Sequence, residues 1–168
     1  MNVALLGFMG VGKTTVGRLL ATRLEYTFVD SDTEAEKEAG MRIGKVFASL
    51  GEPAFRALER GVVQRLSAED EQVIALGGGA VLDPLNIERL RRSSMMVLLT
   101  ASPEEISLRT RLDTTRPLLE GEDRLDRIRR LLDERRERYL AVADMVLDTN
   151  GVSPIRVAEA IKGRLEAV

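Results

Sequence analysis

Val3-Ala4-Leu5-Leu6-Gly7-Phe8-Met9-Gly10-Val11-Gly12-Lys13-Thr14 runs from a short apolar stretch through a glycine-rich turn into a helical pattern, with Val16, Leu19, Leu20 and Leu24 on one face. Residues 7–14 fit G-x-x-x-x-G-K-[ST] in the context that gives the pattern meaning, after a strand and before a helix. The spacing has a physical purpose. Glycines let backbone N–H groups wrap phosphates and the helix N-terminus adds its positive dipole end. Lys13 reaches the β/γ-phosphates, and the Thr14 hydroxyl binds Mg2+. Only four lysines stand among the 25 basic residues, so a lysine at this position in an arginine-rich chain is notable. A purely structural glycine turn is the bland alternative, and nucleotide phosphate binding is the reading preferred here.

Outward from this segment, apolar runs recur at Thr27-Phe28-Val29, Val73-Ile74-Ala75-Leu76, Met95-Met96-Val97-Leu98-Leu99 and Met145-Val146-Leu147. Helical patterns separate them. Three helices announce their starts with a capping residue before proline: Asp83-Pro84, Ser102-Pro103 and Ser153-Pro154. Strands that are apolar throughout, not alternating, predict burial on both faces, hence an α/β fold with a parallel sheet between helices. Two segments break the alternation. About forty residues from Thr33 to Gln72 exceed what a crossover needs, which predicts an inserted helical segment over about 33–71. Residues 112–123 have little periodicity and are expected to form a lid.

Composition narrows the chemistry. The 168 residues carry 25 Lys+Arg against 27 Asp+Glu, a net charge of −2, which argues against a nucleic-acid coat. There is no cysteine and no histidine, so catalysis must use carboxylates, hydroxyls, cations or backbone. No apolar run has membrane-spanning length and no basic stretch precedes the first strand, so a single cytoplasmic domain over 1–168 is expected. With no unassigned apolar stripe, a monomer is expected.

Asp30-Ser31-Asp32 closes the second strand, at the edge where open parallel sheets bind ligands. On a strand, residues i and i+2 point the same way, so both carboxylates face one site. Helix capping competes, since Ser31…Glu34 and Thr33…Glu36 each fit a capping box. Beside a triphosphate, Asp30 suits a Mg2+ contact and Asp32 suits the hydroxyl that attacks phosphorus. Gly77-Gly78-Gly79 closes the third strand and admits a ligand to bare backbone, or is merely a tight turn. Arg116, in the lid beside Pro117, is placed to answer charge on the transferring group. Arg56, beside Phe55, either grips a carboxylate with its two-pronged fork or makes a surface pair with Glu59.

Taken together these blocks resemble the shikimate kinases over essentially the whole chain. They comprise Gly7 to Gly17, Phe28 to Asp32, Ile43 to Phe47, Gly51-Glu52 with Phe55-Arg56 and Glu59, and Ala75 to Val81. To these are added Arg109-Thr110-Arg111 with Arg116-Pro117-Leu118-Leu119, and Arg135 with Tyr139. The resemblance implies a P-loop kinase with a five-stranded parallel sheet, in which ATP·Mg2+ phosphorylates the 3-hydroxyl of shikimate on the route to chorismate and aromatic amino acids. It implies that Asp32 meets the reacting hydroxyl, that Arg56 and Arg135 hold the carboxylate, and that Gly77, Gly78 and Gly79 hold the other hydroxyls. Phe47 and Phe55 would line the pocket. The nucleotide would be bound by Gly10, Val11, Gly12, Lys13, Thr14 and Thr15, with Arg116 on its phosphates and Arg109 against adenine, and Mg2+ would take Thr14 and Asp30.

The lid lacks a lysine many relatives carry, and Asn150-Gly151-Val152-Ser153 offers no basic residue on the adenine side. Gluconate and nucleoside monophosphate kinases are the rival enzymes, although no Asp-Gly-Phe-Pro-Arg signature is present. A guanine switch is disfavoured because no Asn/Thr-Lys-x-Asp motif occurs, and an inactive partner because Lys13, Asp32 and Arg116 are all present.

Overall fold

The computed structural model describes residues 1–112 and 123–168. The expected lid, and Arg116 within it, therefore lies outside the described residues, its two end positions excepted. Element order is β1 (Asn2–Leu6), α1 (Lys13–Leu24), β2 (Thr27–Asp30), α2 (Ser31–Ala39), α3 (Ile43–Leu50), α4 (Glu52–Ser67) and β3 (Gln72–Ala75). A 3-10 turn (Ala80–Leu82) follows, then α5 (Pro84–Ser93), β4 (Ser94–Thr100), α6 (Pro103–Thr110), α7 (Arg124–Val142), β5 (Met145–Asp148) and α8 (Pro154–Glu166).

The strands form one parallel sheet in the order β2-β3-β1-β4-β5. The inner strands β1 and β3 are buried at every position and β4 at all but its last. The edge strands depart from the expected two-sided burial: β2 is exposed at Thr27 and half-buried beyond it, and β5 alternates between half-buried and exposed positions. An edge strand has one neighbour and an incomplete helical cover, so apolar content overstates its burial. Along β1 the side chains alternate between two cores. Val3 and Leu5 pack with Val16, Leu20, Val157 and Ile161 of α1 and α8, whereas Ala4 and Leu6 pack with Val62, Leu66 and Leu90 of α4 and α5.

The helix starts follow the sequence closely. Asp83 accepts from Leu85 N–H, Ser102 from Glu105 N–H and Ser153 from Arg156 N–H, each before a proline whose missing N–H costs nothing there. The cap of α2 requires correction. Neither Ser31 nor Thr33 caps it; the N-cap is Asp30, whose Oδ1 accepts from the N–H groups of Asp32 (2.9 Å) and Thr33 (3.1 Å). The strand ends at Asp30, so the i, i+2 argument for Asp30 and Asp32 fails as well, because Asp32 sits in the first turn of a helix.

Helices α2, α3 and α4 occupy the insertion between β2 and β3. Glu36 on α2 accepts the Ile43 N–H at the start of α3 (3.0 Å), and Arg65 on α4 pairs with Glu34 and Glu38 on α2. Among the described residues no helix is long and apolar enough to cross a membrane.

Candidate active site

The sheet order brings three strand ends together. Asp30 of β2 lies beside Ala75 of β3, and Ala75 beside Leu5 of β1. The segments that leave those ends therefore meet at the carboxyl edge: Asp30-Ser31-Asp32, Gly77-Gly78-Gly79 and the glycine loop before α1. Between them and the α2–α4 insertion lies a cavity of about 520 Å3, lined by all the predicted site residues among the described ones save Val11. Val11 is buried beneath the loop, in the core.

The glycine loop owes its shape to backbone freedom at Gly10 (φ +80°) and at Gly12 (φ +101°), which is the N-cap of α1 and has no side chain to cap it. Lys13 curls back over the loop. Its Nζ donates to the carbonyls of Gly7 (2.5 Å) and Phe8 (3.0 Å), so the ammonium is held at the mouth of the helix. Thr14 Oγ1 donates to Asp30 Oδ2 at 3.4 Å, leaving one hydroxyl and one carboxylate side by side at the helix N-terminus. Asp30 thus divides its two oxygens between capping α2 and facing the loop.

Opposite the loop, the glycine triplet is bare because functional side chains occupy the space that Cβ atoms would fill. A Cβ on Gly77 would lie 2.5 Å from Asp32 Oδ1, one on Gly78 3.2 Å from Arg135 Nη1, and one on Gly79 2.5 Å from both terminal nitrogens of Arg56. Asp32, Arg135 and Arg56 thus converge on three consecutive residues. Among the described residues the Gly78 and Gly79 amides donate to no backbone acceptor outside helices and strands, while Gly77 N–H is taken by Ser31 Oγ at 2.9 Å.

Both arginines rest on aromatic rings: Arg56 Cζ is 5.2 Å from the Phe55 centroid and Arg135 Cζ 5.6 Å from that of Phe8. Phe47 packs on Phe55 with centroids 4.9 Å apart. Arg56 donates to Glu59 Oε1 (2.9 Å) and to Glu52 (3.3 Å). The surface-pair alternative is therefore overturned at one partner, since Glu59 is only 2% exposed. Burial pushes the Glu59 carboxyl up to about 7 against the pull of Arg56, with the Asp32 and Asp83 charges adding to the rise. Its second oxygen is buried without a hydrogen-bond partner among the described residues. Burial would lower the Arg56 guanidinium, but Glu59 and Glu52 outweigh it and hold it above its ordinary value.

On the far side of the loop, Arg109 spends most of its in-plane donors on protein. Nε donates to Glu105 (2.9 Å), Nη1 to Gly10 O (3.2 Å) and Thr149 Oγ1 (3.1 Å), and Nη2 to Thr149 O (3.2 Å). What remains beside the loop is one Nη2 N–H and the flat face of the guanidinium. Arg109, and not Arg111, lines the cavity.

Three residues to which the sequence assigned no part in binding or catalysis belong to this site. Glu59 anchors Arg56, Ser31 holds Gly77, and Tyr139 donates to the Gly78 carbonyl at 2.5 Å. The i, i+3 spacing of Arg56 and Glu59 and the i, i+4 spacing of Arg135 and Tyr139 were visible, but burial was not.

Comparison with known proteins agrees with this geometry. The shikimate kinase family model matches residues 9–166. The chain is 46% identical to a shikimate kinase of Moorella thermoacetica over 99% of this chain and 95% of that one, and 44% identical to one of Caldanaerobacter subterraneus over 95% and 93%. Among solved structures, a shikimate kinase from Acinetobacter baumannii in complex with shikimate superposes with a TM-score of 0.95 at 37% identity, covering 99% of this chain and 93% of that one. Another from Aquifex aeolicus gives 0.85 at 34% identity, covering 99% and 96%. A phosphate loop shared by many kinases, a glycine triplet packed by two arginines and an aspartate, and matches along nearly the full length have one common account: this chain belongs to the shikimate kinase family.

Proposed function

We propose that the chain transfers a phosphoryl group from ATP to the 3-hydroxyl of shikimate, giving shikimate 3-phosphate and ADP. The observation that carries this reading is the convergence of Asp32, Arg56 and Arg135 on Gly77-Gly78-Gly79 in the same cavity as the glycine loop. A carboxylate-bearing polyol matches those groups: two guanidiniums for the carboxylate, bare backbone and Asp32 for hydroxyls. Helices α2–α4 supply the acceptor side, and residues 112–123 with Arg116 the lid.

ATP·Mg2+, when bound, supplies the phosphoryl group and a divalent charge that neutralises its oxygens. Gly10 to Thr15 present backbone N–H groups to the phosphates, and Lys13 adds a cation at the helix end. The donor set at the loop fits the metal, because one hydroxyl and one carboxylate from Thr14 and Asp30 suit an ion that keeps most of its ligands as phosphate oxygens and water. Arg109 offers its guanidinium face to adenine. Asp32 accepts a hydrogen bond from the reacting hydroxyl and receives its proton as the new O–P bond forms and the bond from the γ-phosphorus to the departing ADP oxygen breaks. Positioning supplies most of the acceleration, since the transition state is loose. We place the enzyme in the cytoplasm as a monomer.

The test is ADP release from ATP·Mg2+ with shikimate, gluconate, AMP, CMP or no acceptor. Turnover with shikimate alone is expected. Turnover with another acceptor instead would overturn the carboxylate pocket and leave the phosphate loop standing.

A further inference from the structure

Three helices reach across to hold the turn after β3, each with a buried polar side chain. Ser31 of α2 accepts the Gly77 N–H (2.9 Å), Tyr139 of α7 donates to Gly78 O (2.5 Å), and Asn86 of α5 donates to Ala80 O (3.0 Å). Tyr139 differs from the other two in its neighbour. It lies one helical turn beyond Arg135, so the two side chains share a face of α7. A Cβ on Gly78 would stand 3.2 Å from Arg135 Nη1 and 3.6 Å from the Tyr139 oxygen. Arg135 is itself only 7% exposed and is backed by the Phe8 ring, so it is confined between that ring and the glycine turn. Burial raises the Tyr139 phenol above its ordinary value, the Arg135 charge opposing, and a neutral phenol is the form that donates to a carbonyl.

We propose that Tyr139 is a positioning residue for the acceptor: its single hydroxyl, on the Gly78 carbonyl and beside the Arg135 guanidinium, fixes the glycine turn and the carboxylate-binding cation relative to each other. The proposal rests on the shikimate reading given above. Its physical content is competition for a donor. Without the hydroxyl, the carbonyl of half-buried Gly78 loses the bond that Tyr139 gives it and is open to a neighbouring donor. That donor is Arg135, which then turns onto the protein backbone and away from the incoming carboxylate.

Tyr139→Phe removes the hydroxyl and keeps the ring. In steady-state kinetics of the full chain, the shikimate KM is expected to rise about tenfold and kcat to fall less than about threefold, the size of effect given by one hydrogen bond to a charged site. The KM for ATP and the thermal midpoint are expected to stay at wild-type values. In an Arg135→Lys background the same substitution is expected to change the shikimate KM less than about twofold, because residues acting through one another are not additive. A purely structural tyrosine would give additive losses. An unchanged shikimate KM, an additive double variant, a parallel rise in both KM values with a falling midpoint, or failure of Tyr139→Phe to fold each overturns the proposal. Wild-type protein without shikimate turnover overturns the acceptor reading as well, which separates the two failures.

Discussion

At the scale of single residues, the site is organised by what is missing. Gly79 leaves room for the Arg56 guanidinium, which would otherwise lie 2.5 Å from a Cβ. The far end of an arginine moves easily, so Gly79→Ala is expected to displace Arg56 with little change in the thermal midpoint. The loss should appear as a rise of about tenfold or more in shikimate KM, since a misplaced guanidinium forfeits a two-bond contact; an unchanged KM would remove Arg56 from the acceptor site. Asp32 makes a different prediction. Asp32→Asn keeps the shape but cannot take a proton, so kcat is expected to fall about a hundredfold or more while ATP affinity, measured by equilibrium binding, stays near wild type. Sequence alone showed that Arg56 had a carboxylate three residues away, but not whether solvent reached it. With 21 arginines in the chain, charge could not rank them, and the resemblance to a family did.

At the scale of elements, the fold was legible wherever a local rule decides it. The Asp83, Ser102 and Ser153 caps could be read because an oxygen before proline acts within one turn of the chain. The end of β2 was not, because a strand reading of Asp30-Ser31-Asp32 and a helix start use the same residues, and the choice is made by Ser31 reaching Gly77 from 46 residues away. Gly17 illustrates the same limit. It stands in the sequence as the last residue of a motif block, yet its function is packing: a Cβ there would lie 2.5 Å from the Phe28 ring and 3.2 Å from Leu5, so α1 rests on β1 and β2 at this glycine. Phe28 is further held by Arg18, 5.3 Å above its ring. Gly17→Ala is therefore expected to destabilise by about 1–3 kcal/mol despite its better helix propensity, because overpacking outweighs the gain. Urea unfolding checks this, and a stabilised variant would show that the helix can lift off the sheet freely.

At the scale of the whole molecule, the site imposes a stability cost that depends on pH. Glu59 is buried to hold Arg56, and its carboxyl is pushed up to about 7 from an ordinary value of 4.5. Between those two values the folded chain keeps a proton that the unfolded chain releases. The unfolded state then binds fewer protons, so stability falls as pH rises through this window and levels off above it. The full cost is on the order of 3–4 kcal/mol. Glu59→Gln keeps the volume and an oxygen for Arg56 but has no proton to lose. Its thermal midpoint is expected to match wild type near pH 4.5, to exceed it by a gap that widens towards pH 7, and to stay above it by a constant amount beyond. A gap that is flat across the range, or that widens towards acid, would show that the ion pair and not desolvation dominates at Glu59. The same variant is expected to bind shikimate more weakly at pH 8, because a neutral amide holds the guanidinium less firmly than a carboxylate does. A protein that grows more stable as it loses its substrate would identify Glu59 as a charge kept for binding at the expense of the fold.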